Sequence, residues 1–300
     1  LEETAGYIQA AMLFTSVSGQ RRLRVHNLSL VNGDNFQNLY RLAELDTTVN
    51  FIAKHAEKLL LQKSPKDVKE YLVGRTAQIL ATYRERCSES APAGQLILPE
   101  GMKLLPLYVN CILKNDAYFG GSELQVDDRA WLMQNVQSLR VQDSVAWFYP
   151  RLISVSDLPQ EAADSDNYDL PTAVRCSYEN LKGDGVYLLE NTVNMFLWIG
   201  LNTSPDWVQD VFGVAAVTQI NPELHQLPEK DTNASRGLRR LIKRIHQNRP
   251  RQMKMYIVRQ QDKLEPWMKK YLVEDRAGDN SPSYVDFLCH IHREIRNILS

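Results

Sequence analysis

Cysteine is scarce in this chain: Cys87, Cys111, Cys176 and Cys289 are the 4 among 300 residues, and no two of them form a Cys-x-x-Cys pair. That excludes a disulfide-stapled scaffold and a zinc knuckle, and it fits a reducing compartment, cytosol or nucleus. Long apolar runs are lacking too. The longest, Leu104 to Leu113, is interrupted by Pro106 and Asn110 and is about half of what a bilayer-spanning helix needs. Neither charge sign dominates, since 35 Lys and Arg face 36 Asp and Glu for a formal net charge of -1. Such a balance removes any global pull toward nucleic acid or an anionic surface and leaves only local patches. Catalytic signatures are missing as well. There is no Gly-x-Ser-x-Gly elbow, and the 6 histidines show no local pairing with a Ser or Cys. Lys182-Gly183-Asp184-Gly185 is too short for a phosphate-binding loop and reads as a turn before a strand.

What is present changes its pattern along the chain. With 44% hydrophobic content and roughly 100–200 residues per domain, at least two domains are expected. Tyr7 to Thr15 and Arg22 to Leu28 are β-type runs around Ser18-Gly19-Gln20, a hairpin signal. Two strands are marginal alone. Because the chain opens at Leu1 without Met and shows no signal peptide, the reading expects a fragment whose upstream part is missing, the hairpin completing a sheet made by residues that precede Leu1 or lie elsewhere.

From Asn35 the period becomes helical, with Phe36, Leu39, Tyr40 and Ala43, then Val49, Ile52, Ala53, Ala56 and Leu60. Ser64-Pro65 starts a helix carrying Val68, Leu72, Ile79 and Tyr83, and Ser88 to Gly94 is the loop after it. Leu96 to Leu113 reads as a central helix apolar on nearly every side, and Asp127-Asp128 as the cap before Trp131, Val136 and Leu139. Beyond Asp143 the signals mix. Val145 to Val155 is aromatic and β-branched, Val186 to Glu190 and Val193 to Ile199 are strands around a turn near Asn191, and Met253 to Val258 is another. Pro205 starts one helix, and a longer one after Ala234 carries Leu238, Leu241, Ile242 and Ile245 on one face. Ser281-Pro282 is expected to cap a final helix with Tyr284, Leu288, Ile291, Ile295 and Ile298 in heptad-like spacing, following a Gly278-Asp279-Asn280 linker.

The fold class is therefore multidomain. Residues 1–33 read as a hairpin, 34–143 as an all-α helical domain, 144–278 as an α+β domain and 279–300 as a C-terminal helix docking on the helical domain. The phrases behind this division carry a resemblance. Gly19 to Leu28 is similar to the closing sandwich hairpin of vesicle-coat proteins. Gln95-Leu96-Ile97-Leu98-Pro99, Met102 to Pro106, Asp127 to Ala130 and Phe148 to Leu152 resemble the helical domain of the Sec24 family. Tyr187 to Asn191 with Phe196 to Gly200 resembles a gelsolin-like repeat, and Val273-Glu274-Asp275 with Ser283 to Cys289 that family's C-terminal end. The phrases from Gln95 and from Ser283 look most like its C and D types. The resemblance carried by these phrases implies that the hairpin of residues 1–33 is the C-terminal one of a β-sandwich and that the α+β domain of residues 144–278 is gelsolin-like.

The resemblance implies a non-catalytic cargo-adaptor subunit of the inner layer of coat protein complex II, acting in endoplasmic reticulum to Golgi transport. The partners it implies are the sister inner-coat subunit as a heterodimer, the small coat GTPase indirectly, outer-coat proteins, cargo and SNARE sorting signals held mainly by upstream domains, and an acidic membrane met peripherally. Nucleic acid is not among them. The implied location is cytoplasmic, peripheral on endoplasmic reticulum exit sites and coated vesicles. No cofactor is expected in this stretch, because the family's zinc finger lies upstream.

Candidate contact residues are basic. Arg236, Arg239, Arg240, Lys243 and Arg244, continued by Arg249, Arg251 and Lys254, include no acidic residue from Ala234 to Lys254. They read either as a membrane-facing or partner-facing patch, where each oriented cation gains about 1 kcal/mol near an anionic leaflet, or as the solvent face of an amphipathic helix. Arg21, Arg22 and Arg24 form a second group, with Arg22 and Arg24 on one strand face. A second function class stays open. The family's GTPase-activating sister subunit inserts an arginine from its own gelsolin-like domain, and Arg249 or Arg251 would fill that role, which can bring roughly 10³–10⁵ in rate. A third, actin binding, rests on the gelsolin likeness alone. Cys289, His290 and His292 lack a fourth metal ligand, and Asp184 with Glu190 is a sparse start for calcium.

Overall fold

The computed structural model describes residues 5–88, 92, 94–121, 124–165, 169–278 and 281–300. Leu1, residues 89–91 and 93 of the expected 88–94 loop and the Asp279-Asn280 part of the expected linker lie outside the described residues.

β1 (Ala5–Thr15) and β2 (Arg21–Val31) pair antiparallel from Ala5↔Val31 to Thr15↔Arg21, closed by Gly19 at φ +81°. Glycine suits that left-handed turn because it has no Cβ to clash. Nearly every side chain of the hairpin is exposed.

The helical block follows. α1 (Phe36–Leu42) is capped by the Asn35 side chain, which accepts from Asn38 N at 3.1 Å, yet only Tyr40 of its apolar residues is buried. α2 (Leu45–Leu60) buries Val49, Ala53 and Ala56. α3 (Pro65–Cys87) starts at the Ser64 cap with Pro65 in its first turn, where a missing N–H costs nothing. α4 (Leu105–Lys114) is buried on all sides from Leu105 to Ile112. The central helix is thus shorter than the sequence suggests: Leu96 to Pro99 is irregular and Glu100–Met102 is a single 3-10 turn. Proline explains the break, since Pro99 stands outside that turn and Pro106 is tolerated only in the first turn of α4.

α5 (Asp116–Phe119) and α6 (Val126–Ser138) complete the bundle with α7 (Val141–Phe148). Asp127 and Asp128 are not the cap of α6. Gln125 holds that position and the aspartates lie in the first turn, where negative charge complements the helix dipole. The aromatic, β-branched run Val145 to Val155 also resolves differently. Its first part is helix to Phe148, Tyr149-Pro150 breaks it, and β3 (Arg151–Ser154) begins only then, because the residue before proline is pushed out of the helical region.

α8 (Gln160–Asp164) and β4 (Ala173–Val174) precede β5 (Val186–Glu190) and β6 (Asn194–Ile199). The β5–β6 turn is built by Asn191, whose side-chain oxygen accepts from Val193 N at 3.2 Å and Asn194 N at 2.8 Å. α9 (Pro205–Phe212) and α10 (Asn233–Gln247) cross to β7 (Lys254–Arg259), which pairs parallel with β6. Among the described residues the sheet order is β4-β3-β5-β6-β7, with the other pairings antiparallel. Lys182 to Gly185 is a turn as expected, its Gly185 N bonded to Lys182 O at 2.9 Å. It packs so tightly on Gly200 that a Cβ there would collide with the Gly183 carbonyl.

Both faces of this sheet are buried. Ile153, Leu188, Leu197 and Ile257 pack with Val208 and Val211 of α9 and Leu238, Leu241 and Ile245 of α10. On the other face, Leu152, Leu189, Phe196 and Trp198 join one continuous core with Tyr108, Phe148 and Ile291. α11 (Glu265–Lys269) sits on this side, where Trp198 donates to Glu265 at 2.9 Å. α12 (Tyr284–Leu299) lies along α3 and α4. Its cap is Ser283, not Ser281-Pro282: Ser283 and Asp286 bond each other's backbone N–H in a capping box. Its buried stripe is Phe287, Ile291 and Ile295, with Leu288 half-buried and Ile298 42% exposed.

The segment Val273–Asp275 knits these parts together. Lys114 donates to the carbonyls of Val273 at 2.8 Å and Asp275 at 2.5 Å. Tyr149 donates to Glu274 at 2.5 Å and accepts from Cys176 N at 3.0 Å, while Arg175 grips the same carboxylate. Tyr284 N closes on Glu274 O at 2.9 Å. Burial, and after it the Glu274 carboxylate, hold the Tyr149 phenol well above its usual range.

Candidate functional site

α10 is amphipathic for a simple reason: Leu238, Leu241 and Ile245 pack against the sheet and Gly237 against Ala162 of α8, so the intervening cations project outward. The structure then distributes them unequally. Arg236 pairs with Asp231 and donates to Asn233 at 2.5 Å. Arg239 donates to Lys230 O at 2.9 Å and keeps a buried Nε without a hydrogen-bond partner. Arg240, Lys243 and Arg244 line one groove together with Gln247 and Ser165, over Ala162 of α8. Arg244 also lies 3.8 Å from Asp169. Three of the five candidate cations of α10 are thus brought to one place.

Arg249 is different. Its side chain is 8% exposed and turns inward onto Glu190, with Nε donating at 3.1 Å, while Nη1 lies 3.6 Å from Asp143. Glu190 is fully buried and also accepts from Arg151 at 2.5 Å, and Asp143 accepts from Arg140 at 2.8 Å. An arginine held by two buried carboxylates is not poised to enter a neighbouring active site. Arg251, two residues on, is exposed. The same network removes Glu190 from the calcium reading, since two guanidinium groups occupy its oxygens. Asp184 is exposed and precedes the start of β5, whereas Glu190 is its last residue, roughly 20 Å away at strand rise.

Arg21, Arg22 and Arg24 lie on exposed β2, a separate element from α10. Arg22 donates to Gln20 at 2.7 Å, and the Arg24 guanidinium stands 5.9 Å from the Phe14 ring centre. On α12, Cys289 is exposed and His292 has a buried Nε2 without a hydrogen-bond partner. Among the described residues no group of three His, Cys, Asp or Glu is placed to share a metal ion. None of the described helices is long and apolar enough to cross a membrane.

Sequence reasoning missed the ion network around Glu190 and the role of Ser165 and Asp169 beside α10. A signal existed for the first: a lone carboxylate closes the otherwise apolar strand Val186-Tyr187-Leu188-Leu189-Glu190, and a buried charge demands a partner. For the second there was none, because nothing local links residues 165 and 169 to a helix some 75 positions later.

Comparison with known proteins agrees with this architecture. The Sec23/Sec24 helical domain matches residues 44–146 and the gelsolin repeat residues 167–242. Human protein transport protein Sec24C is 45% identical over 299 residues, which is 100% of this chain and 27% of that protein. Human Sec24D is 42% identical over 100% of this chain and 28% of its own length. Sec24 B of Arabidopsis thaliana is 33% identical over 97% of this chain and 26% of its own length. The chain thus spans about a quarter of the length of these relatives. The crystal structure of the human COPII-coat protein Sec24c superposes with a TM-score of 0.90 at 44% identity, covering 98% of this chain and 38% of that one. Helical bundle, gelsolin-like sheet and C-terminal helix recur in the same order along one continuous alignment with the Sec24 proteins, to which this chain is similar from end to end.

Proposed function

We propose that this chain forms the scaffold portion of a non-catalytic cargo-adaptor subunit of the COPII vesicle coat, working in transport from the endoplasmic reticulum to the Golgi. The observation that carries this is its end-to-end likeness to Sec24C and Sec24D, at 45% and 42% identity. The continuous core from the bundle through the sheet to α12 supports a buttressing role, because coupled packing transmits load without hinge motion. Its partners would be the sister inner-coat subunit in a heterodimer, and through it the small GTPase and outer coat, with cargo and SNARE signals recognised mainly outside this stretch. The protein would sit peripherally on exit-site membranes. The exposed cations Arg21, Arg22 and Arg24, with those of α10, would face the acidic leaflet. The reading assigns no cofactor to this stretch.

The alternative, GTPase activation through an arginine of the gelsolin-like domain, loses Arg249 to its buried carboxylates and keeps only Arg251. One experiment tests both readings. The protein is isolated from cells at its natural length, its native mass and partner are determined, and GTP hydrolysis by the coat GTPase is measured with it alone. A stoichiometric heterodimer without stimulation is expected. Stimulation by the protein alone, lost on Arg251→Ala, would overturn the adaptor reading.

A further inference from the structure

The groove between α8 and α10 suits a chemistry that coat assembly does not require. Ser165 follows α8, with its backbone N–H bonded to Glu161 O at 2.9 Å and its residue exposed. It lines a cavity of about 70 Å3 with Arg240, Lys243, Arg244 and Gln247. Those three cations share one helix face by their spacing, and burial of Leu241 and Ile245 fixes the direction of that face. In sequence Ser165 is bracketed by Glu161 and Asp164 before it and Asp166 and Asp169 after it. A serine flanked by carboxylates fits a protein kinase with a basic peptide groove, since kinases select substrates by charge pattern. Arg244 already reaches toward Asp169 at 3.8 Å, so a carboxylate stands beside the basic helix.

We propose that Ser165 is a phosphorylation site whose phosphate is held in this groove by Arg240, Lys243 and Arg244. This inference is independent of the coat reading. In the transfer, the Ser165 Oγ attacks the γ-phosphorus of the kinase-bound nucleoside triphosphate. The bond to the oxygen bridging the β-phosphate breaks, the hydroxyl proton passes to the kinase's carboxylate base, and nucleoside diphosphate leaves. The product carries about -1.5 to -2 charge and three acceptor oxygens, and guanidinium groups bind such oxygens in pairs. Asp164 and Asp169 oppose it. Both are exposed, Asp169 completely, so solvent and salt screen their repulsion, whereas the three cations line the cavity itself. The phosphate would pin the α8 segment to α10 and neutralise the centre of the basic face.

The test uses the full chain, treated with an acid-directed protein kinase and ATP. Mass mapping should place the phosphate on Ser165 and find none there in Ser165→Ala. Phosphorus NMR titration should show the second ionisation of the folded protein's phosphate below that of the urea-unfolded protein by about one unit, the size expected for close opposite charges. The double variant Arg240→Gln/Arg244→Gln should return it toward the unfolded value, and the exposed Lys243→Gln should give a smaller change with an unaltered melting curve. Phosphate mapped elsewhere, or an ionisation midpoint that ignores these substitutions, would overturn the proposal.

Discussion

The β1–β2 hairpin and the five-stranded sheet both form regular strands that carry apolar residues, and they end in opposite conditions. In the hairpin Leu23 remains 65% exposed, whereas Leu197 in β6 is 0% exposed between α10 and the rest of the sheet. Strand propensity is therefore not what separates them. The sheet acquires stability because α9 and α10 cover one face while the helical bundle and α11 cover the other. The hairpin instead displays Tyr7, Leu13 and Leu23 on one face and Ile8 with Leu28 on the other.

The contrast can be broken most forcefully at a fully buried charge, Glu190. Glu190→Ala strands Arg151 without a carboxylate and leaves Arg249 only Asp143 at 3.6 Å, and urea unfolding should report a loss of about 3–5 kcal/mol, as for a buried pair deprived of one partner. Next, Leu197→Ala should cost about 2–5 kcal/mol by leaving a cavity, while Leu23→Ala in the hairpin should stay within about 0.5 kcal/mol. Equal losses at the two leucines would abolish the distinction. Ser283→Ala removes half the capping box of α12, and thermal unfolding should record a cost of about 1 kcal/mol.

The smallest effect concerns pH. Burial lowers the folded-state pKa of His246, and the nearby Glu190 only partly opposes this. Below about pH 6.5 the unfolded chain takes up a proton that the folded chain resists, so stability falls as pH drops through the window beneath the ordinary histidine value. His246→Gln should flatten that part of the stability–pH curve. An unchanged slope would show that His246 does not titrate differently in the two states.

Much of the architecture could be read locally. Ser64-Pro65, Asn35, the turn at Asn191 and the start at Pro205 were each legible because capping and turn formation depend on a few neighbouring residues. The helix over Val141–Phe148 was not, because its short aromatic, β-branched run suits strand or helix until Pro150 and the packing around Trp147 and Phe148 decide. Nor was the inward turn of Arg249 visible. In sequence it continues a basic run, and only the folded sheet brings Glu190 from 59 residues away to meet it.

Sequence by itself settled the order of helical bundle, mixed sheet and final amphipathic helix, together with the family likeness, since periodicity, caps and motif phrases are short-range properties. Tertiary structure alone decided which cations are structural and which face solvent. It also decided the parallel pairing of β6 with β7 and the gathering of Arg240, Lys243 and Arg244 beside Ser165. The reason is that desolvation and Coulomb terms depend on distance and burial in space, and neither quantity exists until distant segments have packed.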